Sequence, residues 1–207
     1  VPLEKTFDKM TFRSDFNPKS HYLMLDGYSR GFHGHDDGNA IIQFSAEDRV
    51  FLVDGDYIRS LPRYHNTVTF TRDGKSYRIP AFVKLDHKAD FQKTGFTRTS
   101  IANYGGLDWD RNIIWLKDKF FLVIDNLNFK EWGEYLLRCI WRTAGEVEVD
   151  EGGIHVSQKG KYFHIYHLDE ADIEENEEYP QGGKYYGGYR YANYPAKAFH
   201  EVMHDDL

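Results

Sequence analysis

Thr67-Val68-Thr69-Phe70-Thr71-Arg72-Asp73-Gly74-Lys75-Ser76 decides the fold class. Val68 and Phe70 alternate with threonines, so an extended chain carries one apolar and one polar face, the period of a half-buried strand. Arg72-Asp73-Gly74-Lys75 then has the composition of a tight hairpin turn leading into a second strand over Ser76–Val83. The same grammar extends outward in both directions. Tyr22–Asp26, Ala40–Ser45 and Val50–Asp54 read as strands before it. Arg111–Leu116, Phe120–Asp125, Tyr135–Arg142, Glu146–Val149, Ile154–Ser157 and Tyr162–His167 read as strands after it. Lys117-Asp118-Lys119, Glu151-Gly152-Gly153 and Lys159-Gly160-Lys161 punctuate them as turns. No helical pattern exceeds two or three turns. The best candidate is Asp169–Glu177, for which an acidic surface loop is the alternative, and Ala198–Val202 can form one last strand. About a dozen short strands predict an all-β fold, an antiparallel β-sandwich occupying residues 1–207 as a single domain.

The composition agrees. Among 207 residues 16% are aromatic, with 15 Tyr and 15 Phe, which suits strands and sugar-facing surfaces better than a helical bundle. The net charge of −7 argues against a nucleic-acid partner, since such proteins concentrate positive charge. An anionic polysaccharide would instead need a local cationic patch, which Arg30, His33, His35, Arg59, Arg63 and His65 can form. Cys139 is the one cysteine, so an intrachain disulfide and a cysteine-based metal cluster are excluded, and its place in the apolar run Tyr135–Trp141 makes it a small core residue. No run approaches the roughly 20 apolar residues of a membrane helix. The opening Val1-Pro2-Leu3-Glu4 reads as the interior of a longer protein. Gln181–Tyr194, rich in Gly and Tyr, reads as an aromatic-packed loop or a platform on which sugar rings stack.

The chemistry concentrates in Asp26-Gly27-Tyr28-Ser29-Arg30-Gly31-Phe32-His33-Gly34-His35-Asp36-Asp37-Gly38-Asn39, a polar, glycine-rich segment between two strands. A loop with so many His and Asp side chains is costly to order unless something holds it, and a metal is one such agent. His33 and His35 are one residue apart, which in an extended backbone puts both rings on one face. Val50-Phe51-Leu52-Val53 ends in Asp54, a carboxylate that needs hydrogen bonds or a cation at the end of a buried strand. Arg63-Tyr64-His65-Asn66-Thr67 precedes the next strand. Two His and one Asp from these three segments make a zinc set, with water or substrate as fourth ligand; taken singly, each His reads equally as a hydrogen-bonded structural residue.

The run Leu25-Asp26-Gly27 followed by Gly31-Phe32-His33-Gly34-His35-Asp36-Asp37-Gly38-Asn39 resembles the His-Gly-His-x-Asp-x-Asn loop of heparinase II/III-type polysaccharide lyases. Leu52-Val53-Asp54-Gly55, His65-Asn66-Thr67, and the pair Arg111–Leu116 and Phe120–Asp125 resemble later motifs of that family in the same order, from about Phe12 to Trp141. The resemblance implies a C-terminal β-sandwich joined to an N-terminal α/α toroid, with the cleft between them. It implies a structural zinc on His35, Asp54 and His65, and His33 facing the cleft. The family's catalytic Tyr comes from the toroid, which this chain does not contain, so the chain either is the sandwich portion of a longer enzyme or has lost catalysis.

The implied reaction is β-elimination at a uronic acid within an acidic polysaccharide. Abstracting the proton next to the carboxylate requires that carboxylate to be neutralised, and the leaving oxygen must gain a proton. His33 suits either task. Arg30 can pair with sulfate or carboxylate groups. Asn39 can bind the substrate carboxylate or orient the loop by forming a turn. A non-catalytic carbohydrate-binding or structural sandwich is the rival reading. A cupin-like metal enzyme, suggested by His33-Gly34-His35, is disfavoured because the next Glu is Glu47. The family's substrates imply a bacterial periplasmic or secreted location.

Overall fold

The structure, a computed structural model, describes residues 1–31, 34–54, 60–168, 172–178 and 196–202. Among the described residues the chain forms sixteen strands and two single-turn 3-10 helices, Leu3–Lys5 and Pro62–Tyr64. The strands make three antiparallel sheets. The largest has nine strands. Its main path runs β1 (Lys9–Arg13), β2 (Tyr22–Asp26), β3 (Ile41–Ala46), β4 (Arg49–Val53), β11 (Tyr135–Thr143), β16 (Ala196–Val202) and β15 (Asp172–Glu178). β5 (Val68–Arg72) also pairs with β11, and β6 (Lys75–Ser76) with β5. The second sheet is β10 (Phe120–Phe129), β9 (Leu107–Leu116), β8 (Thr94–Tyr104) and β7 (Lys84–Asp90). The third is β12 (Glu146–Asp150), β13 (Gly153–Gln158) and β14 (Lys161–Tyr166).

Two apolar clusters join the sheets. In the first, Leu23, Leu25, Ile41, Phe44 and Leu52 of the large sheet meet Ile113 and Trp115 of β9 and Ile154 and Val156 of β13. In the second, Val68, Phe70 and Leu137 meet Ile101, Tyr104, Leu107 and Trp109, with Ile79 and Val83 beside them. The antiparallel sandwich is therefore present, with the third sheet closing the first cluster. Cys139 packs against the second cluster, and burial pushes its thiol up to about 12, as befits an inert core residue.

β9 shows how alternation positions the functional loop. Its buried residues are Leu107, Trp109, Arg111, Ile113 and Trp115, a strict period of two with one guanidinium among the apolar side chains. Arg111 is 1% exposed and grips Asp125 of β10 through two bonds, Nε to Oδ1 at 2.8 Å and Nη2 to Oδ2 at 2.9 Å. Trp109 Nε1 donates to the same Oδ1 at 2.7 Å. The third arm of the guanidinium, Nη1, donates to the Asn39 carbonyl at 2.6 Å. A buried ion pair contributes little net stability when fully satisfied, but stranding one partner is costly.

Several elements differ from expectation. β1, β7 and β8 are additional strands. β7 is charged on an edge, and β8 turns Thr97 and Thr99 inward, so neither carries an apolar alternation. The strand expected over Ser76–Val83 ends at Ser76. Pro80 has no N–H to give a ladder, and the segment uses its backbone on the loop instead. The Ser29 N–H donates to the Ala81 carbonyl at 2.8 Å, and the Val83 N–H to that of Gly27 at 3.0 Å. The acidic stretch expected as a helix or loop contains strand β15, whose Ile173 packs against the first cluster. Gln181–Tyr194 lies outside the described residues.

Replacing Arg111 by Met should lower unfolding stability by about 3–5 kcal/mol, because it strands Asp125. Replacing Arg111 and Asp125 together by apolar residues should cost clearly less. Urea denaturation of the two variants measures the difference.

Candidate functional site

The loop after β2 is built on backbone contacts that glycine and asparagine make possible. A Cβ on Gly27 would stand 2.3 Å from the Phe7 carbonyl oxygen, so the N-terminal segment can cross there only over a glycine. The Gly27 N–H donates to the Asp8 carbonyl at 2.8 Å, and Lys9 Nζ lies 2.9 Å from buried Asp26. At the far end Asn39 takes φ 66°, a left-handed turn that asparagine tolerates. Its side chain is fully buried, with Oδ1 accepting from Thr99 Oγ1 at 2.6 Å. Of the two uses expected for Asn39, the turn is the one its geometry serves.

Between these ends the loop closes on itself. Gly34 has φ +72°, so the backbone between His33 and His35 is not the extended one that would align both rings. His33 itself lies outside the described residues, as does Arg59. The Arg30 N–H donates to the His35 carbonyl at 2.6 Å, and its guanidinium reaches the Ile79 carbonyl at 3.1 Å. Buried Asp36 receives Arg78 Nε at 2.6 Å and sits 3.6 Å from Arg30 Nε. Sequence reasoning did not single out Arg78, whose side chain is 58% exposed on the loop's outer side.

His35, Asp37 and His65 come together, with one potential ligand atom from each lying within 4.8 Å of the others. The two imidazole rings are 5.5 Å apart between centroids. Asp54 stands at the end of β4, and its Oδ1 lies 2.8 Å from His65 Nδ1. His65 is fully buried, and its Nε2 has no hydrogen-bond partner among the described residues. That burial removes His65 from the surface cationic patch expected of it, because an imidazole enclosed beside two carboxylates cannot meet a polymer. Exposed Arg63 instead donates to the Tyr64 hydroxyl at 2.8 Å.

Asp37 is the member that sequence reasoning missed. It and Asp36 are adjacent carboxylates in the same string, and only the fold shows that Asp36 is taken by Arg78. Burial, and then the neighbouring Asp26 carboxylate, push the Asp37 carboxyl up to about 7, with Asp54 adding to the effect and His65 opposing it. Burial by itself lowers the His65 imidazole, but Asp54, through charge and hydrogen bond, and then Asp37 more than offset it and leave His65 raised. Asp54 and Asp37 both act on the His65 imidazole, and Asp26 adds its charge beside Asp37. The donor set of imidazole nitrogen and carboxylate oxygen fits zinc, as does the unpartnered Nε2.

The neighbour of His65 is a structural clamp. Asn66 Nδ2 donates to the carbonyls of Ile41 and Val53, each at 2.8 Å, and its Oδ1 accepts the Arg142 N–H. One buried amide thus ties β3, the end of β4 and β11 together beneath the site. Asn66→Ala should destabilise the protein by about 3 kcal/mol, since each stranded buried polar group costs roughly 1–3 kcal/mol. Asn66→Asp, which keeps the shape but not the donor, should not restore the loss. Thermal unfolding of both variants checks this.

No protein-family model matches the chain, and no curated protein does. Solved structures do. The chain is similar over 98% of its length to heparan sulfate lyase HepC from Pedobacter heparinus, at 20% identity and TM-score 0.74. It is similar over 97% to a heparinase III at 14% identity and TM-score 0.74, and over 98% to a heparinase III with methylated lysines at 12% identity and TM-score 0.77. It spans 34%, 34% and 33% of those chains respectively. Nearly the whole of the described sandwich thus has the fold of about one third of a heparinase III.

Proposed function

We propose that this chain is the sandwich part of a polysaccharide lyase that cleaves uronic-acid-containing glycans by β-elimination, with a zinc ion bracing the loop that carries His33. The observation that carries the reading is the convergence of His35 and Asp37, from the loop that carries His33, with His65 ahead of β5. The likeness of fold to proteins titled as heparinase III and heparan sulfate lyase supports it. Asp54, bonded to His65, completes the site, either as a further ligand or as the carboxylate that orients the imidazole. When bound, zinc supplies a fixed positive charge that offsets the crowded carboxylates and orders the loop.

The chain's own residues would then do the following. His33 faces an acidic sugar, neutralising its carboxylate or carrying a proton to or from it. Arg30, with a side chain 43% exposed at the loop's rim, offers charge to a sulfate or carboxylate. Asn39 and Arg111 hold the loop's far end in place. The remaining acid–base groups would come from an N-terminal toroid domain. An acidic polysaccharide substrate places such an enzyme in the bacterial periplasm or outside the cell.

Dialysed protein should retain about one zinc by elemental analysis. Alanine at His35, Asp37 or His65 should lower metal content and melting temperature together. Metal at 100 times its Kd stabilises by about 2.7 kcal/mol, which at roughly 2–4 °C per kcal/mol for a chain of this size is about 5–10 °C. Chelation that leaves the melting temperature unchanged would remove the zinc. Protons compete for raised Asp37 and His65, so zinc affinity should fall as pH drops from about 7.5 to about 5.5; a flat affinity across that range, measured by competition with a chromophoric chelator, would contradict the ligand set. In the complete enzyme His33→Ala should retain zinc but abolish the ultraviolet-absorbing unsaturated product. Undiminished product would take His33 out of the reaction.

A further inference from the structure

The third sheet carries a second cluster of metal-ligating groups on its outer face, sharing no residue with the first. His155 on β13 and His164 on β14 are cross-strand partners. Their Nδ1 atoms lie 2.7 Å apart, with ring centroids 4.9 Å apart at 64°. On the other side of the His155 ring, Nε2 lies 3.1 Å from Asp150 Oδ1. That oxygen is itself fixed by the turn, accepting the Gly152 N–H at 2.7 Å and the Gly153 N–H at 3.1 Å. Beneath the pair Ile154 and Val156 are buried in the first core cluster, with Phe163 and Ile165 packed against it, so the platform is rigid. The His164 ring stacks on Tyr166 at 5.9 Å and 24°.

The carboxylate decides the tautomer. Asp150 can only accept, so His155 carries its proton on Nε2 and presents a bare lone pair at Nδ1. An imidazole held on one nitrogen by a carboxylate and free to donate electrons from the other is the usual arrangement of a metal-bound histidine. The His164 Nδ1 now supplies the proton shared by the pair. If that proton moves to His164 Nε2 by tautomer exchange through solvent, both Nδ1 lone pairs face one point, with no net proton lost or gained. A tetrahedral metal about 2.0–2.1 Å from each nitrogen needs the two atoms to part by about 0.6 Å. Side-chain torsions on an exposed sheet face supply this. Glu148 is the cross-strand partner of His155 on β12, so it shares that face, and a change of side-chain torsions would bring its carboxylate to the pair as third ligand.

We propose that His155 and His164 form a second, surface metal site for a borderline divalent ion such as zinc, nickel or copper, with Asp150 as the positioning residue and Glu148 and water completing the coordination. Imidazole ligands select this class over magnesium or calcium.

Zinc chloride is the probe, titrated calorimetrically into dialysed protein. A further equivalent, weaker than any zinc retained through dialysis, is expected. His164→Ala and His164→Gln should each weaken this event by at least about tenfold while leaving the retained zinc unchanged. The second variant keeps ring-sized bulk and hydrogen bonding, so it guards against loss of fold in the first. Asp150→Asn should keep one equivalent but weaken it by about tenfold or more, as loss of an outer-sphere carboxylate does. His35→Ala should leave the event intact, which separates this site from the zinc proposed above. Absence of the further equivalent in the unmodified protein, or identical titration by the His164 variants, would overturn the proposal.

Discussion

The geometry of the functional loop depends on one buried guanidinium. Arg111 sits where the alternation of β9 calls for an apolar side chain, and a charge there is tolerable only because Asp125 meets it with two oxygens. Once paired, the planar group still has a donor to place, and it goes to the Asn39 carbonyl. The sheet that bears no candidate ligand thereby fixes the end of the loop that bears several. Thr99 repeats the connection from β8, so the left-handed residue is held by backbone and side chain at once. The Asn39 N–H to the Asp26 carbonyl and the Gly38 N–H to Ser29 Oγ add to these two contacts.

The electrostatics of the site follow from the same packing. Bringing Asp37 and Asp54 toward buried His65, with Asp26 acting on Asp37, is unfavourable unless protons or positive charge offset it. Lys9 answers Asp26, and Arg78 answers Asp36, each from a different segment. At Asp37 the His65 imidazole opposes the rise, but burial and Asp26 outweigh it and push the carboxyl up to about 7.

Much of this was legible in the sequence. The strand Tyr22–Asp26 reads correctly at both ends, because its apolar run is bounded by polar residues. β9 and β10 prove longer than their aliphatic cores suggest. Asp108, Asp110, Asn126 and Asn128 look like strand-ending residues until alternation is seen to continue through them. The first half of β8 is invisible to hydrophobic pattern because its inward residues there are Gly95, Thr97 and Thr99, with Ile101 and Tyr104 buried only later. At the site, Asp54 and His65 stand out by residue type and position near strand ends, and His35 by its place in the polar, glycine-rich loop. Asp37 does not, since choosing between it and Asp36 requires knowing where Arg78 ends up. The clamp role of Asn66 is likewise a property of three strands meeting, which no local window contains.

The crossing of the N-terminal segment over Gly27 has a mechanical implication. The chain on its way into β1 presses its backbone onto the base of the loop, and a few residues later Lys9 neutralises Asp26, one of the charges that Asp37 feels. A shift of the chain ahead of β1 would therefore be felt at Asp37 as a change in local potential. The entry strand is in effect a lever whose short arm ends at the carboxylates.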